Sequence, residues 1–543
     1  MTNIYKPVVT STSGGYSGKA LVGTYSCILG WTMDESLRSG LKGFAIRRQD
    51  FNRETGELLS LKWLGSFKRF ESHNSGEEEM SSLQAPFQRF RWNDYSLKPN
   101  KTYQYEVFPM RGNPGQLLRE ESPLSFKIVP SLEDQDDLGV YVNRGVTSAM
   151  AYLNRFKNRK PSEVGPSAYS WLSRGLKESL IRFIKNTTTG QALHVAIYEF
   201  FDHEIAQCFR DAIDIGVNVR IVHDARKGKN STLKNEKVIN IFQLGPPITI
   251  PRTTVNISHN KLVIRLKNGI PTQVWAGSAN FSENAFNFQT NSALVIRDPK
   301  LCQYYEAYFQ GLIDNPPKRD SKVINRKLMD DANVKVDRYA EKTFFSPLKR
   351  EDILECSADI IGSARSAVFI SAPFGIDQRM LDALASNSED IIEYGLVNST
   401  AKKKIQGLNR KNTRFFTPYK LQTYMGRSWD AKSFGAHKIH SKIIVTDPWS
   451  NNPQILIGSA NFSKNSCVNN DENALYIKGD KRLAAILATE FMRMYDHYKA
   501  RYYINLLGTN EVFLSTDERW SKTSFDPDSS SHKFRDRVVF SGG

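Results

Sequence analysis

With 543 residues, 40% apolar and 24% charged, the chain has the composition of a folded protein of roughly two to four domains and not of a disordered or fibrous one. Lys and Arg exceed Asp and Glu by 17, and this positive field concentrates polyanions such as nucleic acid or an anionic membrane surface. No run of about 18 apolar residues occurs, and the N-terminus MTNIYKPVVTSTSGGYSG lacks the pattern of a secretory signal, so the expectation is a cytoplasmic protein without integral membrane association.

Taken in chain order, residues 1–126 predict an all-β sandwich. GFAIRRQD, LKWLGSF, FQRFRWNDYS and TYQYEVFPMR alternate apolar and polar residues between turn-prone stretches. The aromatics of FKRF (67–70) and FQRFRW (87–92) stand beside basic residues and can stack on single strands, but their alternation assigns them to the sandwich core. WNDYSLKPNKTYQYEVFP resembles the later strands of a fibronectin type III domain, which implies a spacing or adhesive module and a protein partner through it. Residues 127–139 read as an acidic linker, with Glu133, Asp134, Asp136 and Asp137 hydrated rather than ligating a metal.

From residue 140 the texture becomes α/β. LHVAIYEF predicts a strand, HEIAQCFRDAIDIG a helix with Ile205, Phe209, Ala212 and Ile213 on one face, and NVRIVHD the next strand. SAVFISAPF, DQRMLDALAS and IEYGLVNS repeat the unit, giving a first half at 140–320, a second at 321–505 and a C-terminal extension at 506–543. The extension, with TDERWSKTSFDPDSSSHKFRDR (516–537), is polar and turn-rich around isolated aromatics, an irregular segment packed back over the sheet or partly disordered. Five scattered cysteines (Cys27, Cys208, Cys302, Cys356, Cys467) fit free thiols in a reducing compartment and imply no metal.

The halves repeat at an offset of 181 without a gap from His259 to Ile296. Each copy carries His-x-Lys at the head of an apolar strand (His259, Lys261; His440, Lys442), where residues two apart share a face. Each also ends a second strand with GSAN, whose small Gly and Ser (Ser278, Ser459) allow a ligand to approach Asn280 or Asn461. Alone, either motif is weak, and GSAN also suits a helix cap; together and twice at one spacing they mark a site. Two such halves suit a phosphodiester: one imidazole attacks phosphorus, the other protonates the leaving oxygen, and Lys and Asn surround the equatorial oxygens.

At these residues the sequence resembles the phospholipase D superfamily, whose pattern is HxKxxxxD followed by GSxN and an acidic residue. HSKIIVTD with GSANFSKNSCVNNDEN is a complete copy, whereas HNKLVIRL has Leu266 in place of the Asp and Asn291 in place of Glu472. The resemblance implies two facing mixed β-sheets. It also implies catalytic roles for His259, Lys261, Asn280, His440, Lys442, Asn461 and Glu472, substrate contacts for Ser278 and Ser459, and a structural Asp447. Leu266 then costs a local salt bridge, Glu472 supports His259, and His440 lacks a carboxylate, which assigns His259 as nucleophile and His440 as general acid, with the reverse still open. No cofactor or metal is implied. The sandwich, the stretch VYVNRGVTSAMAYLNRF and the two halves, in this order, look like an uncharacterised group of bacterial phospholipase-D-like proteins.

The basic balance favours nucleic acid, DNA in the first instance, and hence a metal-independent nuclease acting through a phosphohistidine. The alternatives are a phospholipase D or phosphatidyltransferase acting on phospholipids, and a non-catalytic nucleic-acid-binding protein. His437 reads as a neighbour of the second motif and not as a third base. With both motifs in one chain, no dimer is required to complete the site.

Overall fold

A computed structural model describes residues 4–73, 79–145, 150–157, 159–335, 341–398, 410, 412–418, 423–424, 427–428, 438–507 and 513–542. His437 lies outside the described residues. Residues 8–128 form a sandwich of two antiparallel sheets. One runs in the order Val8–Ser13, Tyr16–Val22, Cys27–Met33, Arg91–Asp94; the other Gln116–Arg119, Lys101–Asn113, Gly43–Asn52, Leu58–Trp63, with Leu124–Ile128 also on Lys101–Asn113. Alternation decides the faces: Phe44, Ile46, Tyr103, Tyr105 and Phe126 point inward onto Trp31. Of FQRFRWNDYS only Arg91–Asp94 pairs as a strand, while Phe70, Phe87 and Phe90 are buried, as their alternation implied.

The two α/β halves are built alike. The first sheet has the order Asp134–Gln135, Leu138–Val142, Ser292–Ile296, Ile270–Gly277, Lys261–Lys267, Gln191–Ile197, Asn218–Asp224, Thr249–Arg252. The second is Lys342–Ser346, Glu472–Lys478, Gln454–Gly458, Lys442–Thr446, Ala367–Ser371, Ile392–Leu396, Thr413–Phe416. Gln191–Ile197 and Asn218–Asp224 are parallel, as a β-α-β crossover requires, and the intervening helix His203–Asp214 is capped by Asp202, which accepts from the amides of Glu204 and Ile205 at 3.1 Å. That helix buries Ile205, Phe209 and Ala212.

Strand alternation divides the core into layers. Leu262, Ile264 and Leu266 face a central core shared with Ile443 and Val445 and filled by the helices Pro299–Ile313 and Lys481–Leu507. Val263 and Ile444 point the other way, each onto its own half's helices. The sheets therefore share one core, and both sets of loops meet along one seam.

Residues 127–139 are no free tether. Asp134 pairs with Arg297 at 2.7 Å, and Arg482 binds the carbonyls of Leu132, Glu133 and Leu138, so the segment is fastened to the first sheet and the long helix. The C-terminal extension packs chiefly over the sandwich: Trp520 stacks on Phe90 at 5.4 Å, and Phe540 enters the central core beside Trp449. Its carbonyl lies where any Cβ on Gly30 would come within 2.1 Å, so that strand position requires glycine. All five cysteines are buried free thiols.

Candidate active site

Two short parallel seams join the halves. Ser258 bridges Asp471, and Gln289–Thr290 pairs with Lys438–Ile439. The seams hang each histidine on the opposite half: the His259 amide donates to the Asp471 carbonyl at 2.9 Å, and that of His440 to Thr290 at 3.2 Å. The 181-residue offset of the sequence is thus a pseudo-twofold relation in space.

The imidazoles follow the same rule. His259 Nδ1 meets Glu472 Oε2 at 2.8 Å, and His440 Nδ1 meets Asn291 Oδ1 at 2.9 Å. Ser459 Oγ donates to Glu472 and Ser278 Oγ to Asn291, each at 2.8 Å, so the hydroxyls expected beside the substrate are turned onto these acceptors. Asn291 spends its Nδ2 on the Ala285 carbonyl at 2.8 Å, which leaves Oδ1 for the histidine and requires a proton on His440 Nδ1. Each Nε2 is then left toward a substrate, with Lys442 Nζ 3.4 Å from that of His440.

Both lysines are buried and bend back to the histidine two residues before them. Lys442 Nζ donates to the His440 carbonyl at 2.7 Å, and Lys261 Nζ to that of His259. Burial pushes Lys261 down to about 7, and burial together with Lys261 holds Lys442 well below the ordinary lysine range. Burial, then the lysines of both halves, hold both histidines well below the usual imidazole value; Glu472 is raised by burial to about 7. The halves press cationic groups on one another, so the site as a whole favours an anion.

Asn280 donates to Glu199 at 2.6 Å, and the Oδ1 atoms of Asn280 and Asn461 are buried without a hydrogen-bond partner. The glycines of GSAN serve the fold: a Cβ on Gly277 or Gly458 would meet the neighbouring strand's carbonyl, Ser292 or Asn473, at 2.3 Å, so a strand and not a ligand makes the close approach. Among the described residues Asp447 forms no salt bridge. It accepts from the amides of Arg365, Ser366 and Ala367 at 2.7–3.2 Å and so fixes the start of strand Ala367–Ser371. Leu266, its counterpart, continues its strand into the central core, so the substitution exchanges a cap for core packing instead of costing an ion pair.

Sequence reasoning missed four residues. Glu199 and Tyr198 follow strand Gln191–Ile197, and Phe374 follows Ala367–Ser371, the carboxyl strand ends where α/β sheets carry their sites. Tyr198 lies 5.2 Å from the His259 ring, and the exposed Phe374 lies 5.7 Å edge-on to His440. Arg252, wholly buried, grips Asp471 at 2.8 and 3.1 Å and thereby fixes the carbonyl that holds His259. Only Tyr198, Glu199 and Phe374 carried a signal, their position at the end of apolar runs. Among the described residues no group of three or more His, Cys, Asp or Glu is placed to hold a metal, and no helix is long and apolar enough to cross a membrane.

A family model described as cardiolipin synthase, PLD-like domain, matches residues 180–313 and 358–495, one match for each half and together half of the chain. The chain belongs to this phospholipase D-like family. Solved structures similar to this phospholipase D-like protein include a polyphosphate kinase from Porphyromonas gingivalis (12% identity, TM-score 0.38, 57% of this chain and 43% of that one). They also include a phosphatidylserine synthase from Haemophilus influenzae (13% identity, TM-score 0.42, 60% and 85%) and the phospholipase D family member Nuc from Salmonella typhimurium (25% identity, TM-score 0.21, 25% and 84%). The chain thus spans less than half of the polyphosphate kinase it resembles. No curated protein matches it.

Proposed function

We propose that this phospholipase D-like protein is a metal-independent phosphodiesterase that cleaves nucleic acid, DNA in the first instance, at one site made by both halves. The observation that carries this reading is the crossed pairing of His259 with Glu472 and His440 with Asn291. In this mechanism His440 takes up a proton on Nε2 as the diester anion binds; His259 Nε2 then attacks phosphorus, a P–N bond forms, and the P–O bond breaks as His440 gives that proton to the leaving oxygen. Water then attacks the phosphohistidine, losing a proton to His440, and releases His259. Glu472 stabilises the positive charge that grows on the His259 ring, whereas the amide of Asn291 offers His440 no such charge and leaves it the better acid. Lys261, Lys442, Asn280 and Asn461 take up the phosphoryl charge.

The net charge of +17 supports a nucleic-acid backbone. For the sandwich, the strand order and the Tyr103 hydroxyl accepting from the Lys98 amide at 2.7 Å support a fibronectin type III-like reading. The test is cleavage of labelled single- and double-stranded DNA in excess EDTA, beside vesicles of phosphatidylglycerol and phosphatidylcholine. DNA cut in EDTA is the expected result. Lipid turnover with intact DNA moves the same chemistry to phospholipids, and DNA bound but uncut by a protein that turns over neither overturns catalysis.

The depressed Lys261 gives a pH prediction. A bound diester anion favours the charged lysine, so its pKa rises from about 7 on binding and protons are taken up. Competitive inhibition by diethyl phosphate, whose own charge is constant here, is expected to weaken as pH rises above about 7, by at most about tenfold per unit. An inhibition constant that is flat from pH 6 to 9 contradicts this coupling.

A further inference from the structure

The two halves differ at one position beside the histidines. Leu262 pairs with Ala196, and Ile443, its counterpart at the offset of 181, pairs with Ser371. Three residues beyond these partners stand Glu199 in the first half and Phe374 in the second. Glu199 Oε2 accepts from Asn280 Nδ2 at 2.6 Å, so the carboxylate is engaged within the site. Phe374 is 52% exposed, with its ring 5.7 Å from that of His440 at 86° and with Lys442 Nζ 5.7 Å from its centroid. Tyr198, the ring beside His259, is half-buried, with Lys261 Nζ at 5.4 Å and Arg226 Cζ at 6.0 Å, so of the two rings Phe374 is the one open to a ligand.

The His259 side offers charge instead of an open ring. Arg226 Nε donates to Asp224 at 2.9 Å, and Asp224 also accepts at 3.1 Å from the amide of Ser258, the residue before His259. The buried Asn235 donates to the carbonyls of Tyr198 at 2.9 Å and Asp224 at 3.1 Å. The loop that follows strand Asn218–Asp224 is thus fastened beside the nucleophile by hydrogen bonds, and it presents Lys227 and Lys229 to solvent. The site therefore has a cationic flank next to His259 and an exposed apolar ring next to His440.

We propose that Phe374 is the specificity-determining residue for a single strand of nucleic acid: its ring stacks on the base of the leaving nucleotide, while Arg226, Lys227 and Lys229 take the backbone phosphates on the His259 side. On the nucleic-acid reading, on which this rests, His440 is the acid, and a ring beside the acid lies beside the leaving group. A base can stack on a protein ring only when it is freed from its neighbours in the strand, so the contact selects an unpaired, unstacked strand over a duplex. A lipid chain calls for a continuous apolar patch, whereas Phe374 is the one exposed large apolar residue among the described residues from 341 to 505.

The test is kcat/KM in EDTA for a labelled oligothymidylate, for its duplex with oligoadenylate and for an abasic strand of equal length, with the full chain and its Phe374→Leu and Phe374→Trp variants. The parent is expected to cut the single strand about tenfold faster than the abasic strand or the duplex. Phe374→Leu, which keeps an apolar side chain and loses the ring, should bring both ratios close to one, and Phe374→Trp should keep them. Lys227→Ala/Lys229→Ala should slow all three substrates and flatten the salt dependence; an unchanged salt dependence removes the loop from the path of the strand. A melting curve equal to that of the parent checks that each variant is folded. A parent that cuts the abasic strand equally well, or a Phe374→Leu protein that keeps the preference, overturns the role of the ring while the nuclease reading stands. A parent that cuts none of the three overturns both, and turnover of phosphatidylglycerol vesicles that falls in Phe374→Leu would give the ring to a lipid chain instead.

Discussion

His259→Ala is expected to lower the rate of phosphodiester cleavage about 10⁵-fold and His440→Ala about 10³-fold or more, with both proteins folded. The unequal losses follow from the roles: without the nucleophile no P–N bond forms, whereas a missing acid can be replaced in part by water or a leaving group of low basicity. A substrate with a nitrophenolate leaving group should therefore rescue His440→Ala and not His259→Ala. Combining the substitutions should add little to His259→Ala alone, because the residues act as a unit. Turnover within tenfold of the parent in either variant would remove that histidine from the chemistry, and rescue of His259→Ala instead would reverse the assignment.

Arg252→Met is expected to destabilise the protein by about 3–5 kcal/mol, because it strands a buried carboxylate at the seam. Arg252 and Asp471 are both wholly buried, and the arginine also holds Ser321, Thr254 and the carbonyl of Pro316. Burial already raises Asp471 above the ordinary carboxylate value, and without the arginine it rises further. A carboxyl that is raised in the folded state is deprotonated first in the unfolded one, so the variant should lose stability as pH rises from about 4 toward the folded pKa and show its full deficit above that value. Asp471→Asn added to Arg252→Met should recover much of it. Chemical denaturation across pH 4–8 reads this directly, and a variant as stable as the parent at pH 8 contradicts the role given to the pair. Activity should fall as well, since the Asp471 carbonyl holds the His259 amide at 2.9 Å.

What could be read from the chain differs by kind of interaction. The β-α-β units were legible because Ile205, Phe209 and Ala212 repeat with the helical period beside strand-length apolar runs. The duplicated motif was legible because polar residues at matching strand positions are wasted on a core, and Glu472 was assigned to His259 through the resemblance to the phospholipase D superfamily. Two local readings failed for physical reasons. Gly277 and Gly458 read as openings for a ligand, but the adjoining strands pass there. Leu266 read as the loss of a local salt bridge, but its counterpart Asp447 caps three backbone amides, a partner set that no side-chain pattern announces. Arg252 and the C-terminal packing of Phe540 were invisible because the partner lies 219 residues away in one case and the partners are split between Trp449 of the second half and Gly30 of the sandwich in the other.

The most direct test of a single site made by two halves is to quench the reaction on phosphorus-labelled DNA with base, which preserves phosphoramidate bonds, and to map the label by mass spectrometry. Label on the peptide containing His259, absent from His259→Ala and accumulating in a His440→Ala protein that cannot activate water, is the predicted result. Label on His440 would reverse the roles of the halves. Cleavage with no label on either histidine would contradict the covalent mechanism.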